Sequence, residues 1–233
     1  MKVALLSFHT AYNYGAALQA YALQRTVEKS GAECEYINYQ NDHRAHAYDM
    51  KYHFRNSLAN KNVFGAAKSL LGMPAMAARA KGFNKFYSDY LRTTEEVYKN
   101  SAEAAQLNGK YDKFIVGSDQ VWNSINNGSD TAFMLDFVED NAKKISYSSS
   151  FGVSSLDPDS ATVYGNLLKQ FSRLSTRESI GTQIIEDVSG RKAHLVLDPV
   201  FLIGRDEWDK IAEHKNKKNK KSTFFSIQTV KAR

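Results

Sequence analysis

With a single cysteine, Cys34, the chain can form no intrachain disulfide and no metal site built on thiolates. Cys34 itself reads as a small buried hydrophobe on a strand. No apolar run approaches the roughly 20 residues needed to span a bilayer. The apolar part of Met1-Lys2-Val3-Ala4-Leu5-Leu6-Ser7 is too short for a signal peptide, which points to the cytoplasm. After the first apolar run there is neither a Gly-x-Gly-x-x-Gly fingerprint nor a Walker loop, so no nicotinamide, no ATP held in the usual way and no other cofactor is expected. No Ser/His/Asp or Cys/His arrangement stands at a recognisable spacing. His43, His46 and His53 lie close in sequence, but no carboxylate pattern completes a metal site around them.

A broad basic face is also missing from the composition. The formal charge is +6, yet residues 205–233 hold nine Lys/Arg against four Asp/Glu, leaving 22 against 21 in the other 204 residues. A nearly neutral body implies no basic face and no specific nucleic-acid binding. The run Lys215-Asn216-Lys217-Lys218-Asn219-Lys220-Lys221 reads as a solvated linker, with weak contact to anionic lipid, at the inner face of the membrane, or to nucleic acid as the alternative.

What is present is β/α alternation. Val3 to Phe8 reads as a buried strand and Tyr14 to Ser30 as a helix with a stripe of Ala16, Ala20, Leu23 and Val27; Gly31 stops it. Cys34 to Tyr39 completes a βαβ unit. Residues 41–110 read as a helical insertion with no strand, its best helix starting after Pro74 with the stripe Met76, Ala80, Phe83, Tyr87 and Tyr90. Alternation then resumes with strands at Phe114–Val116, Ile145–Ser150, Leu174–Thr176 and His194–Leu197. Helices are expected from Pro158 to Phe171, capped by Asp157, and from Glu178 to Val188. The fold class is therefore α/β, a doubly wound parallel sheet of Rossmann-like type with a helical insertion.

Open α/β sheets bind ligands at the carboxyl ends of their strands, so the segments just after the strands are the candidate site. The richest is Gly117-Ser118-Asp119-Gln120-Val121-Trp122-Asn123, in which small residues and free N–H groups stand beside a Trp ring suited to a sugar face. Asn13-Tyr14-Gly15 leads into a helix N-terminus, a natural anion pocket. Ser148-Ser149-Ser150-Phe151-Gly152 offers hydroxyls, with Ser149 central, to phosphate or sugar oxygens. Arg177 can grip a carboxylate or phosphate with its planar fork, or pair with neighbouring Glu178. Asp198-Pro199 most simply terminates its strand. The sequence predicts that Asn13, Ser118, Asp119, Trp122, Ser149 and Arg177 line one cleft.

In this order, Asn13-Tyr14-Gly15 with Leu18 to Leu23, Gly117 to Asn123, Ser148 to Gly152, Ser175-Thr176-Arg177-Glu178 and Asp198-Pro199-Val200-Phe201-Leu202 resemble the polysaccharide pyruvyl transferase family. The resemblance covers about residues 3–203. It implies the fold of a two-domain glycosyltransferase of the GT-B type, phosphoenolpyruvate as donor, a cell-surface glycan or glycolipid as acceptor, and a pyruvyl ketal as product. Members of that family are usually longer, with a second α/β half. On that comparison residues 1–204 form the N-terminal domain and residues 205–233 a basic linker and the stub of a second. Trp208 to His214 would be the helix leading into that second half and Thr223-Phe224-Phe225-Ser226-Ile227 its first strand. The architecture also suits a sugar-nucleotide glycosyltransferase, and a truncated chain could serve as a binding module without catalysis.

Overall fold

A computed structural model describes residues 1–212 of the chain. The chain divides into two compact units, Met1–Ile203 and Gly204–Arg233, the second opening with a short helix at Arg205–Ile211. The basic run 215–221 and the strand expected at 223–227 lie outside the described residues.

In the first unit the chain runs β1 (Lys2–Leu6), α1 (Tyr14–Lys29), β2 (Glu33–Tyr39), α2 (Asp42–Ala45), α3 (Met50–Ala59), α4 (Val63–Tyr90), β3 (Thr93–Tyr98), α5 (Ser101–Ala104), β4 (Lys113–Val116), α6 (Ser124–Asn127), β5 (Lys144–Ser146), α7 (Pro158–Leu168), β6 (Ser175–Thr176), α8 (Ser179–Ser189) and β7 (His194–Leu195). Five strands form a parallel sheet in the order β3-β2-β1-β4-β5, and β6 pairs with β7. Single bridges Ile145–Arg173 and Ser149–Thr176 place β6 beside the β5 end of the larger sheet. Strands 1 to 3 are laid down in one direction and strands 4 onward in the other. The order reverses between β1 and β4, where doubly wound sheets open a crevice for ligands.

Local chemistry explains the elements. β1 is buried from Val3 to Leu6, as expected of a strand covered on both faces. Asn13 caps α1, and Gly31, at φ +85°, takes the left-handed turn that ends it. Asp157 accepts from Ser160 N and starts α7 as the sequence predicts. Around the sheet, Phe8, Phe114, Trp122, Phe133, Phe151 and Phe171 form one continuous apolar core.

Two expectations are corrected between residues 41 and 110. The sequence shows no strand there, but β3 occupies the sheet edge at Thr93–Tyr98; its Thr-Thr-Glu-Glu-Val-Tyr lacks an apolar run because only Thr94 and Tyr98 are buried. The long helix does not begin after Pro74 but runs through it. Pro74 is exposed, and so is Leu70, whose carbonyl the proline cannot bond, so the interruption falls on the surface side of the helix. The stripe Met76, Ala80, Phe83, Tyr87, Tyr90 does face inward, with Phe83 fully buried.

Candidate functional site

At the switch point the two loops are tied directly: the Ser7 hydroxyl, just past β1, donates to the Ser118 carbonyl, just past β4, at 3.0 Å. Gly117 stands here at φ +124°, and a Cβ on it would lie 2.1 Å from the Tyr147 carbonyl oxygen, so only glycine lets the β4 and β5 ends meet. Asp119 follows with φ +76°, a left-handed conformation that Asp tolerates better than most residues. Its backbone bridges to Ser149.

The carboxyl ends of β4, β6 and β7 converge on Arg177. Its guanidinium donates to Glu178 Oε1 at 2.7 Å and to Asp198 Oδ2 at 3.2 Å, and lies 4.0 Å from Asp119 Oδ1. Asp119 and Arg177 therefore share one edge of the sheet. Three carboxylates around one guanidinium leave a net negative cluster, which corrects the expectation of Arg177 as an open anion grip. Burial pushes the Asp198 carboxyl above its ordinary value, while the Val200 N–H and Arg177 pull it back. Asp198, expected only to end a strand, is thus a member of the cluster, and it also caps the turn at 199–201.

Several predicted residues lie elsewhere. Trp122 offers no surface to a sugar: it is fully buried, its indole N–H donates to the Phe133 carbonyl at 2.9 Å, and its ring packs on Phe151. Ser118 and Ser149 are buried and satisfy the chain itself, Ser149 Oγ donating to the Val116 carbonyl and Ser118 Oγ to that of Ser148. Asn123 is buried and caps α6. Gln120 is half-buried, lies against Gly152 and accepts from the Asn126 amide at 2.7 Å. Asn13 is exposed, and its side chain and carbonyl occupy the N–H groups of Gly15, Ala16 and Ala17, so the α1 N-terminus is not the open anion pocket the sequence predicts. Tyr14 is exposed and stacks on Phe83, in a groove with Leu18 and Phe86. The serines and amides that look ligand-like in sequence are mostly spent on backbone groups at strand ends.

A cavity of about 430 Å³ opens beside the switch point, between the loop after β1 and the end of β2. His9, Thr10 and Tyr12 line it from one side and Asn38, Tyr39 and Gln40 from another; Arg44 of α2, Tyr48 and Asp49 follow it, and α4 closes it with Asn84 and Tyr87. Arg44 lies with its guanidinium carbon 3.6 Å above the Phe8 ring and donates to the Asn126 carbonyl at 3.3 Å. It takes part in no ion pair among the described residues. Burial lowers its pKa below the ordinary value, opposed by the charges of Tyr48 and of Asp119, which ties the cavity electrostatically to the strand-end cluster. His9 is buried against the Tyr36 ring, its Nδ1 3.2 Å from the Ser7 carbonyl and its Nε2 without a partner among the described residues. Burial pushes its pKa down to about 4, the Ser7 carbonyl opposing and Arg44 adding to the effect. Tyr87 donates to the Ala11 carbonyl and fastens α4 to the loop after β1.

Of the cavity residues the sequence marks His9, Thr10 and Tyr12, in the loop that leads from the first strand to the expected anion pocket, and Tyr87, in the helical stripe; Arg44, Tyr48 and Asn84 do not stand out. Arg44, Tyr48, Asn84 and Tyr87 belong to the helical segment between β2 and β3, about 30 positions or more from the strand-end motifs at 13–15 and 117–123. A lone Arg between two His residues carries no spacing that marks it. Metal-ligand geometry is likewise not formed by the three histidines: His43 bonds the Ile125 carbonyl, His46 stacks on Tyr52, and His53 contacts the Ala47 carbonyl.

The doubly wound parallel sheet defines an α/β protein, and its carboxyl edge, where the cavity opens, is the candidate site. A model of the family described as polysaccharide pyruvyl transferase matches residues 13–231, nearly the whole chain, so the chain belongs to that family. No curated protein and no solved structure matches it. The family implies a transferase with a glycan acceptor.

Proposed function

We propose that the chain transfers the pyruvyl group of phosphoenolpyruvate to two hydroxyls of a cell-surface glycan, forming a ketal and releasing phosphate, at the carboxyl edge of the sheet, in the cavity between the loop after β1 and the end of β2. In that reaction the donor's methylene carbon gains a proton, one sugar oxygen bonds to C2, and a second displaces phosphate. An anionic donor needs a cation that is not already neutralised, and a sugar needs aromatic and amide surface. The observation that carries the proposal is the cavity lined by Arg44, which forms no ion pair among the described residues, with Tyr12, Tyr48, Asp49, Asn84 and Tyr87. In this reading Asp119 or Asp198, at the strand ends beside the cavity and paired with Arg177, takes the proton of an attacking hydroxyl.

The direct test supplies the full chain with phosphoenolpyruvate and candidate glycans, and follows phosphate release together with the mass gain of a pyruvyl ketal on the sugar. Arg44→Gln should weaken phosphoenolpyruvate binding measured by calorimetry. Absence of both ketal formation and phosphoenolpyruvate binding across the panel would remove the proposal. Binding of a sugar nucleotide, with none of phosphoenolpyruvate, would move the assignment to glycosyl transfer.

A further inference from the structure

The near-neutral charge of the body conceals a segregated one. Between Met50 and Ser88 there is no Asp or Glu in 39 residues, while Lys51, Arg55, Lys61, Lys68, Arg79, Lys81 and Lys85 supply seven positive charges. All seven are exposed, and Lys51, Arg55, Lys61 and Lys68 take part in no ion pair among the described residues. The stretch folds as the hairpin of α3 and α4. One face of the first half of α4 packs on α3, with Ala66 and Ser69 buried and Gly65 and Gly72 letting Ser57 and Met50 approach. On the other face Val63, Phe64, Ala67, Leu70, Leu71 and Pro74 recur at helical spacing and are all exposed, Phe64 and Leu71 at 82% each. A helix whose apolar stripe faces solvent needs a cover.

The charge identifies that cover. A cationic hairpin with Phe and Leu on one side and acids only at its two ends, Asp49 and Asp89, fits an anionic lipid surface, where the apolar stripe enters the headgroup boundary and the lysines meet lipid phosphates. Among the described residues no helix is long and apolar enough to cross a membrane, so the hairpin would lie in the interface rather than span it. We propose that the first half of α4, with α3, is a docking surface for anionic membranes. The same helix carries Asn84 and Tyr87 into the cavity, roughly 35 Å along its axis from Phe64. Docking there holds the candidate site near a lipid surface. The proposal stands on the hairpin's own charge and exposure and does not need the pyruvyl transfer reading.

Flotation of the full chain with vesicles tests it, comparing pure phosphatidylcholine with a mixture containing phosphatidylglycerol at about 0.1 M salt. Binding is expected on the anionic vesicles alone and should fall severalfold as salt rises. Phe64→Ser with Leu71→Ser, both on exposed side chains, should cut it roughly tenfold; unchanged melting shows that the fold is kept. Because Lys217, Lys218, Lys220 and Lys221 could also meet lipid, their replacement by Gln is the second arm, expected to leave most of the binding. Retention of binding by the hairpin variant, its loss only in the lysine variant, or a dimer in light scattering that the hairpin variant dissolves would each overturn the proposal.

Discussion

Arg177 donates to Asp198 at 3.2 Å across 21 positions of sequence, and the same guanidinium stands 4.0 Å from Asp119. One side chain thereby ties the segment after β4 to those after β6 and β7. Removing a half-buried cation leaves three carboxylates facing one another, which costs more than the attraction lost. Arg177→Ala should lower stability by about 2 kcal/mol, measured by urea unfolding. Arg177→Lys should recover part of it, because a point charge replaces the fork without its geometry. Equal stability of wild type and Arg177→Ala would show that the cluster does not hold the strand ends together.

Arg44 and Asp119 are predicted to separate in kinetics. Arg44→Gln should raise the KM for the anionic donor about tenfold or more, with a smaller change in kcat, since a binding charge is lost. Asp119→Asn keeps shape and the cap to the Gln120 N–H through its remaining oxygen, and should instead lower kcat. A KM effect of Asp119→Asn matching that of Arg44→Gln would contradict this division.

His9 predicts a pH dependence of folding. Its pKa is held down at about 4 in the native chain by burial, against 6.5 unfolded, so between those values the unfolded state binds more protons. Stability is therefore complete above pH 6.5 and falls as pH drops towards 4, by about 3 kcal/mol in all. Denaturant melts at pH 7 and pH 5 measure the slope, and His9→Gln should flatten it. A slope of equal size in that variant would place its origin elsewhere.

Gly117 and Trp122 make a structural pair of predictions. Gly117→Ala drives a methyl against the Tyr147 carbonyl at a positive φ and should destabilise by about 3 kcal/mol or more. Trp122→Phe leaves the Phe133 carbonyl without its donor and opens space against Phe151, for a loss of about 2–3 kcal/mol. Thermal melting reads both. In Trp122→Phe the KM for a glycan should hold steady, because the ring touches no ligand surface; a rise in KM without loss of stability would contradict its burial.

Much of the fold is legible along the chain because each element follows from neighbours in sequence. The apolar block Val3–Leu6 makes a covered strand, the period of Ala16, Ala20 and Leu23 makes a helix, and Asp157 before Pro158 starts another. β3 escapes because an edge strand with few buried residues loses the alternation that would reveal it. The motif Gly117–Asn123 is visible as a special segment, but sequence shows only that polar groups are there. It does not show whether Ser149, Asn123 or the Trp122 N–H turn to a ligand or to the chain's own backbone groups, since both uses call for the same residue types.

By itself the sequence determined the α/β class, the family and the two acidic strand ends, because periodicity, capping and ordered motifs are local properties of the chain. The tertiary structure alone decided the site's composition. It closed Trp122 and the serines into the interior, occupied the α1 N-terminus with Asn13, surrounded Arg177 with carboxylates, and brought Arg44 and Tyr87 from distant helices to a common cavity. It also left an apolar stripe exposed on the hairpin whose seven like charges follow one another in the sequence. The physical reason is the same in each case: which polar group is spent on the fold and which is left for a ligand depends on its neighbours in space.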